Sequence, residues 1–334
     1  MNNLTFTTTF ILLEFSNIQD LLILYFCVFL ALYLITMIGN LLIIIIVSLD
    51  HKLHTPMYFF LMNLAILDMG TVSVMVPKSM AMFLVKKRTI SYFECVAQVF
   101  FFLFFAATDF SVLIIMAHDR CIAICNPLQY ERIMHKGACL QMVTIGWSIG
   151  LLYAILHTGG TFANTFCSNI VHQFFCEVPQ LIKLSCSDIY LVEVGLIVLS
   201  SSTVVASCVF IIITYMQIFA AVLKIPSVHG KRKALSTCLP HLIVVSVFVF
   251  SAVFAYARPL TNVSSDLDIA FAVIYAMIPP MLNPFIYSMR NKEIKAALDV
   301  VKVKSRRGSC KPTKCMCFSK FYFAGKIKKI TYGI

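Results

Sequence analysis

Two carboxylates, Asp68 and Asp109, interrupt long apolar stretches of this sequence. A charge far from the ends of a membrane helix is costly, so such residues face a bundle interior and usually serve a function. Two carboxyls at similar depth can share a proton or bind a cation. Asn40, Asn63 and Asn283 would add neutral oxygen ligands. Asp68 and Asp109 are therefore a candidate site for a small monovalent cation such as sodium. The competing reading is a neutral, hydrogen-bonded carboxyl pair that ties helices together.

Thirteen cysteines divide by setting. Cys27, Cys121, Cys125, Cys139, Cys208 and Cys238 sit in or beside apolar blocks, where free thiols behave as small hydrophobes. Cys95, Cys167, Cys176 and Cys186 sit in or beside polar connectors. On an oxidising face those four read as two disulfides, with the pairing open, or as one disulfide plus free thiols. Cys310, Cys315 and Cys317 lie near the C-terminus and match no zinc spacing. There is no metal-ligand pair and no nucleophile constellation, so an enzyme is the weakest reading.

The elements that must position these residues are membrane helices. The chain has 334 residues, 60% of them hydrophobic and 13% charged. A soluble domain averages roughly 25% charged. The apolar residues form blocks at 22–49, 57–80, 92–118, 139–159, 191–220, 235–257 and 269–289. Each meets the requirement of about 20 residues for a spanning helix. Continuous apolar blocks do not alternate as barrel strands do. The fold class is all-α, a seven-transmembrane helix bundle. An N-terminal segment 1–21 precedes the seven-span core 22–289, and a tail 290–334 follows it. Residues 1–20 show no cleavable signal peptide, so the first span serves as its own insertion signal.

The net charge of +12 would suit nucleic acid, but its distribution suits a membrane better. With the N-terminus outside, segments 50–56, 119–138, 221–234 and 290–334 hold 21 of the 27 Lys and Arg residues. That asymmetry is the positive-inside pattern. Lys86, Lys87 and Arg88 are an exception on the outer side. The same orientation places the sequon Asn3-Leu4-Thr5 outside, where it can be glycosylated. A second sequon at Asn262 sits too close to two membrane entries for ready use.

If Asp109 faces inward, helical period puts Phe102, Phe105 and Ala106 on the same side. Ser200 and Thr203 in the fifth span and Val253 and Tyr256 in the sixth add to an outer-half pocket, apolar with a few hydroxyls. Plain helix packing is the alternative for any single one of them. Gly146 and Gly150 form a GxxxG suited to close helix contact within the bundle.

Four ordered motifs complete the reading. Span 2 begins Leu53-His54-Thr55-Pro56-Met57-Tyr58-Phe59-Phe60-Leu61. Span 3 ends Met116-Ala117-His118-Asp119-Arg120-Cys121-Ile122-Ala123-Ile124-Cys125-Asn126-Pro127-Leu128. Span 6 begins Lys233-Ala234-Leu235-Ser236-Thr237-Cys238, and span 7 ends Pro280-Met281-Leu282-Asn283-Pro284-Phe285-Ile286-Tyr287-Ser288-Met289-Arg290-Asn291. From about residue 20 to 300 the chain resembles the odorant (olfactory) receptors, within the rhodopsin-like G-protein-coupled receptors.

The resemblance implies a function and a set of roles. Odorant receptors bind small organic molecules and activate a stimulatory heterotrimeric G protein at the plasma membrane of sensory cilia. Asp119 and Arg120 match the acidic-Arg switch, Asn283, Pro284 and Tyr287 match the switch of span 7, and Tyr215 matches a tyrosine that supports the active state. The resemblance implies the pairings Cys95–Cys176 and Cys167–Cys186. It implies pocket contacts at Phe102, Leu103, Ala106, Ala107, Ser200, Thr203, Val253 and Tyr256, beneath the loop 160–190. It also implies a cation site at Asp68 and Asp109, with Asp109 where Glu is usual.

Other departures from the family pattern are His118 for Tyr, Val249-Phe250 for Tyr-Gly after Phe248, and Pro240 where Ser is common. Val249 cannot donate the hydrogen bond of a tyrosine trigger. Ile294, Leu298 and Val301 at helical spacing, among Lys292, Lys295 and Lys302, predict an amphipathic helix over 291–303. The tail cysteines are acylation candidates beside basic residues, or part of an unmodified basic tail. A hormone or peptide receptor and a small-solute transporter are the competing functions. The four motifs oppose the first, and the absence of inverted repeats opposes the second.

Overall fold

The structure is a computed structural model that describes residues 8–12, 19–85, 88–186, 190–257 and 266–290. Asn3, Asn262, the helix expected over 291–303 and the tail cysteines lie outside the described residues, as do the side chains of Tyr256 and Tyr287.

Among the described residues, seven long helices carry the chain. They are α1 (Gln19–Leu49), α2 (Pro56–Val85), α3 (Tyr92–Cys125), α4 (Lys136–Phe162), α5 (Tyr190–Lys224), α6 (Val228–Ala257) and α7 (Asp266–Arg290). Six of them, α1 to α6, are long and apolar enough to cross a membrane by length and composition. The seventh carries Pro279, Pro280 and Pro284. Every helix overruns the apolar block that predicted it, α3 by seven residues beyond 118. Backbone hydrogen bonding propagates past the last apolar residue until something stops it. For α3 the stop is Asn126, whose backbone N–H bonds Ile122 O at 3.0 Å. Its start is a capping box: Ser91 Oγ accepts from Glu94 N, and Glu94 Oε2 accepts from Ser91 N at 2.9 Å.

The side-chain pattern is that of a lipid-solvated bundle. Ile38, Leu152 and Ile212 are more than half exposed. Polar groups instead fill part of the interior, including Asn40, Asp68, Thr108, Asp119, His241 and Asn283. One buried cluster fills one half of the bundle with Met75, Val99, Phe102, Leu103, Ala154 and Phe175. A second fills the other half with Leu64, Val112, Leu113, Met116 and Val244. The glycine pair of α4 faces α3. A Cβ on Gly150 would run into the Thr108 hydroxyl and lie 3.1 Å from Phe104 O, and one on Gly146 would lie 3.3 Å from Ser111 Cβ.

A small sheet, absent from the sequence expectations, caps one end. Strand β1 (Thr9–Leu12) lies between β2 (Thr89–Ser91), antiparallel, and β3 (Ile170–Val171), parallel. Phe10 at its centre is fully buried, 5.3 Å from Phe166 edge-on. Disulfides Cys95–Cys176 and Cys167–Cys186 lie at this same end, with Cα separations of 5.6 and 5.8 Å.

Candidate functional site

Three polar constellations run along the bundle. The middle one joins α1, α2, α3 and α7. Asn283 Nδ2 donates to both oxygens of Asp68, at 3.1 and 2.9 Å. Pro284 has no N–H, so the carbonyl of Pro280 one turn earlier lacks its helical partner. Asn40 Nδ2 takes that carbonyl up at 3.1 Å. The Pro284 ring reaches α1 because residue 39 is glycine: a Cβ there would lie 2.9 Å from Pro284 Cβ.

Asp109 of α3 is a second buried carboxyl, 6% exposed. The oxygens Asn40 Oδ1, Asp109 Oδ1 and Asn283 Oδ1 are buried with no hydrogen-bond partner among the described residues. Buried carboxyls and unsatisfied amide oxygens are the donor types that a small hard cation takes. No group of three or more His, Cys, Asp and Glu suits a metal among the described residues, so any such ion would depend on neutral oxygens as well.

The second constellation lies at the end of the bundle opposite the sheet. Arg120 donates from Nε and Nη2 to Asp119 Oδ2, at 3.2 and 2.6 Å. Tyr130, in the short helix Tyr130–Ile133, donates to the other oxygen, Oδ1, at 2.7 Å. Burial and the neighbouring Asp119 charge hold the Tyr130 phenol well above the usual tyrosine range, so it stays a protonated donor. Ile218 and Val222 of α5 and Cys238 of α6 pack with Cys121, Ile124 and Cys125 of α3 beside this pair. Just inside it, Tyr215 OH lies 2.7 Å from His241 Nδ1, and His241 Nε2 lies 2.9 Å from Leu113 O. His241 thus ties α6 to both α5 and α3.

The third constellation lies beneath the sheet. The Cys95–Cys176 bond draws the loop 160–190 over α3. Gln98 of α3 accepts from Cys176 N at 2.9 Å. Phe175 then meets Phe102 at 5.9 Å between ring centres. Phe102 and Leu103 are buried, and Ala106, Ala107 and Ser200 are half-buried. Thr203 is exposed and donates to Leu199 O of its own helix, and Val253 is 52% exposed. Deeper in α6, Phe248 stacks on Phe110 of α3 at 5.5 Å, Val249 is half-buried and Phe250 is 66% exposed.

Sequence reasoning missed three residues that the tertiary structure makes prominent: Tyr130, His241 and His157, the last of which lies 2.7 Å from Ser200. The two histidines carried a usable signal, because an ionisable side chain inside a span is a functional candidate by default. Tyr130 carried none, since its partner lies eleven residues away across a chain reversal.

Seven long helices among the described residues, an Asp-Arg pair at one end and a disulfide-bound roof at the other define a multi-pass membrane receptor of the rhodopsin-like kind. A family model described as "Olfactory receptor" matches residues 27–305. The chain belongs to the olfactory receptor family. It is 47% identical to olfactory receptor 14A16 of Homo sapiens over 302 residues, covering 90% of this chain and 97% of that protein. It is 46% identical to olfactory receptor 14I1 and 44% identical to olfactory receptor 14L1, both of Homo sapiens, over 89% of this chain and 96% and 91% of theirs. As a member it is a G-protein-coupled receptor for odorants and not an enzyme.

Proposed function

We propose that this receptor binds small, mainly apolar organic molecules in the half of the bundle beneath the loop 160–190 and activates a stimulatory G protein at the opposite end. The wall would comprise Phe102, Leu103, Ala106, Ala107, Ser200, Thr203, Val253 and Tyr256. The observation that carries the reading is Arg120 held by Asp119, with α6 packed alongside through Cys238. An always-charged fork beside a movable helix is suited to grip a partner once α6 swings out. The ligand shifts the population toward that open state by binding it more tightly.

In this reading the N-terminus is extracellular, Asn3 carries glycan, and the protein resides in the plasma membrane of sensory cilia. Residues 22–289 form the receptor domain between the outer segment 1–21 and the inner tail 290–334. Asp68 and Asp109 hold sodium at rest, and Asn283, Pro284, Tyr287 and Tyr215 rearrange on activation. Val249 lacks a hydroxyl, so the trigger acts through packing of Phe248 on Phe110.

The test is a cyclic-AMP reporter in cells expressing the chain, screened against diverse odorants. A response that Arg120→Ala abolishes at equal surface expression supports the reading. Solute uptake with no cyclic-AMP signal overturns it.

A further inference from the structure

Several hydroxyls of α5 are spent within their own helix. Ser202, Thr203 and Ser207 donate back along their own helix, to Val198 O, Leu199 O and Thr203 O at 2.9, 3.0 and 2.9 Å. A hydroxyl spent that way offers little to a neighbour. Ser200 instead reaches across to α4, its Oγ 2.7 Å from His157 Nε2. His157 is 4% exposed, and its ring lies 4.3 Å from that of Tyr153.

The surroundings of this pair are mixed in a way that suits a ligand. On the buried side of α4, the Thr158 and Thr161 hydroxyl oxygens have no hydrogen-bond partner among the described residues. Those two residues are 7% and 0% exposed. An unmet buried hydroxyl is a standing cost, which a polar guest or a water relieves. Next to them, Ala154, Tyr153 and Ile197 pack in the same apolar cluster as Phe102 and Leu103. The pair therefore sits where the proposed apolar wall turns polar.

We infer that His157 and Ser200 form the polar end of the ligand pocket and select molecules that carry one neutral oxygen function (an alcohol, aldehyde or ketone) over hydrocarbons of the same shape. The inference rests on the receptor reading above. One hydrogen bond joins imidazole and hydroxyl, and a hydroxyl has one donor and two acceptor positions. With Nε2–H donating, the Ser200 O–H is left for a carbonyl oxygen. With Nε2 accepting, a lone pair of Oγ is left for an alcohol. A hydrocarbon would bury this station unsatisfied. Sites built to hydrogen-bond reject the analogue lacking the group far more strongly than apolar pockets reject an added hydroxyl.

The experiment is a reporter assay with four compounds on one carbon skeleton: the alkane, the primary alcohol, the aldehyde and the methyl ketone. Full-length receptor is used, with surface expression measured for each variant. At least one oxygenated compound should act at about tenfold lower concentration than the alkane, the equivalent of one hydrogen bond. His157→Phe should erase that preference. His157→Gln, which keeps a side-chain amide near Ser200, should retain most of it, a rescue that a mere packing role would not produce. Thr158→Val should weaken the preference while leaving expression intact.

The inference is overturned if the alkane matches its oxygenated relatives, or if His157→Phe shifts all four compounds equally. It is also overturned if none of the four acts on a receptor that raises basal cyclic AMP through Arg120. A chain with neither basal nor ligand-driven coupling fails the receptor reading itself, a separate result seen in the unstimulated signal, and the inference falls with it.

Discussion

Asn283 of α7 holds Asp68 of α2 by both carboxylate oxygens, from a single amide nitrogen at 3.1 and 2.9 Å. The two residues are 215 positions apart and both are buried. Asn283→Ala should destabilise the detergent-solubilised receptor by about 1–3 kcal/mol, the cost of leaving the buried Asp68 carboxyl without its partner. Asp68→Asn combined with Asn283→Ala should cost less than the sum of the two single changes. Thermal unfolding of the four proteins checks this, and strict additivity would show that the pair is not coupled.

The oxygens Asp109 Oδ1 and Asn40 Oδ1, without a hydrogen-bond partner among the described residues, make an ion-dependent prediction. Replacing choline by sodium at constant ionic strength should raise the unfolding temperature, because an ion that binds only the folded state stabilises it by mass action. Asp109→Asn should abolish the difference. If the wild type shows no sodium dependence, the acidic pair is a neutral tie between helices.

Asn40→Leu should strand the Pro280 carbonyl that Pro284 leaves unpaired. A buried acceptor without a partner costs about 1–3 kcal/mol. Adding Pro284→Ala restores an N–H one turn below Pro280 and should recover part of the loss. Failure of that second change to recover stability would separate Asn40 from the proline.

Tyr130→Phe removes the donor to Asp119 Oδ1 and leaves the Arg120 contact at Oδ2. Losing a bond to this ion-paired carboxylate, about 1.5–3 kcal/mol, should raise basal cyclic AMP about tenfold or more by loosening the resting arrangement. Unchanged basal signal at matched surface expression would place Tyr130 outside the switch.

Gly150→Leu should break the seam between α3 and α4, since even a Cβ meets Thr108 there. Overpacking of this kind costs about 1–3 kcal/mol. Gly159→Ala is the internal control, with nothing within 4 Å of its added carbon. Equal behaviour of the two variants in thermal unfolding would contradict the close α3–α4 approach.

The spans were legible as apolar blocks, and Asp68, Asp109 and the Asp119-Arg120 pair as local departures from them. The sequence expectation for residues 1–21 was only an outer segment. Within it β1 finds its hydrogen bonds with chain near residues 90 and 170, partners that no local pattern names. Thr203 and Ser200 looked alike by spacing, yet one bonds its own helix and the other crosses to His157.

Read alone, the sequence determined that this is a seven-helix membrane protein and identified the motifs that place it among receptors, because bilayer thickness and the cost of buried charge act on short, contiguous segments. Tertiary structure decided which polar groups meet: Asn283 with Asp68, Asn40 with the carbonyl freed by Pro284, Tyr130 with Asp119, and His241 with Tyr215 and Leu113. Hydrogen bonds between helices depend on ångström-scale rotation and depth of each helix, set by all its neighbours at once. A one-dimensional period does not carry that information.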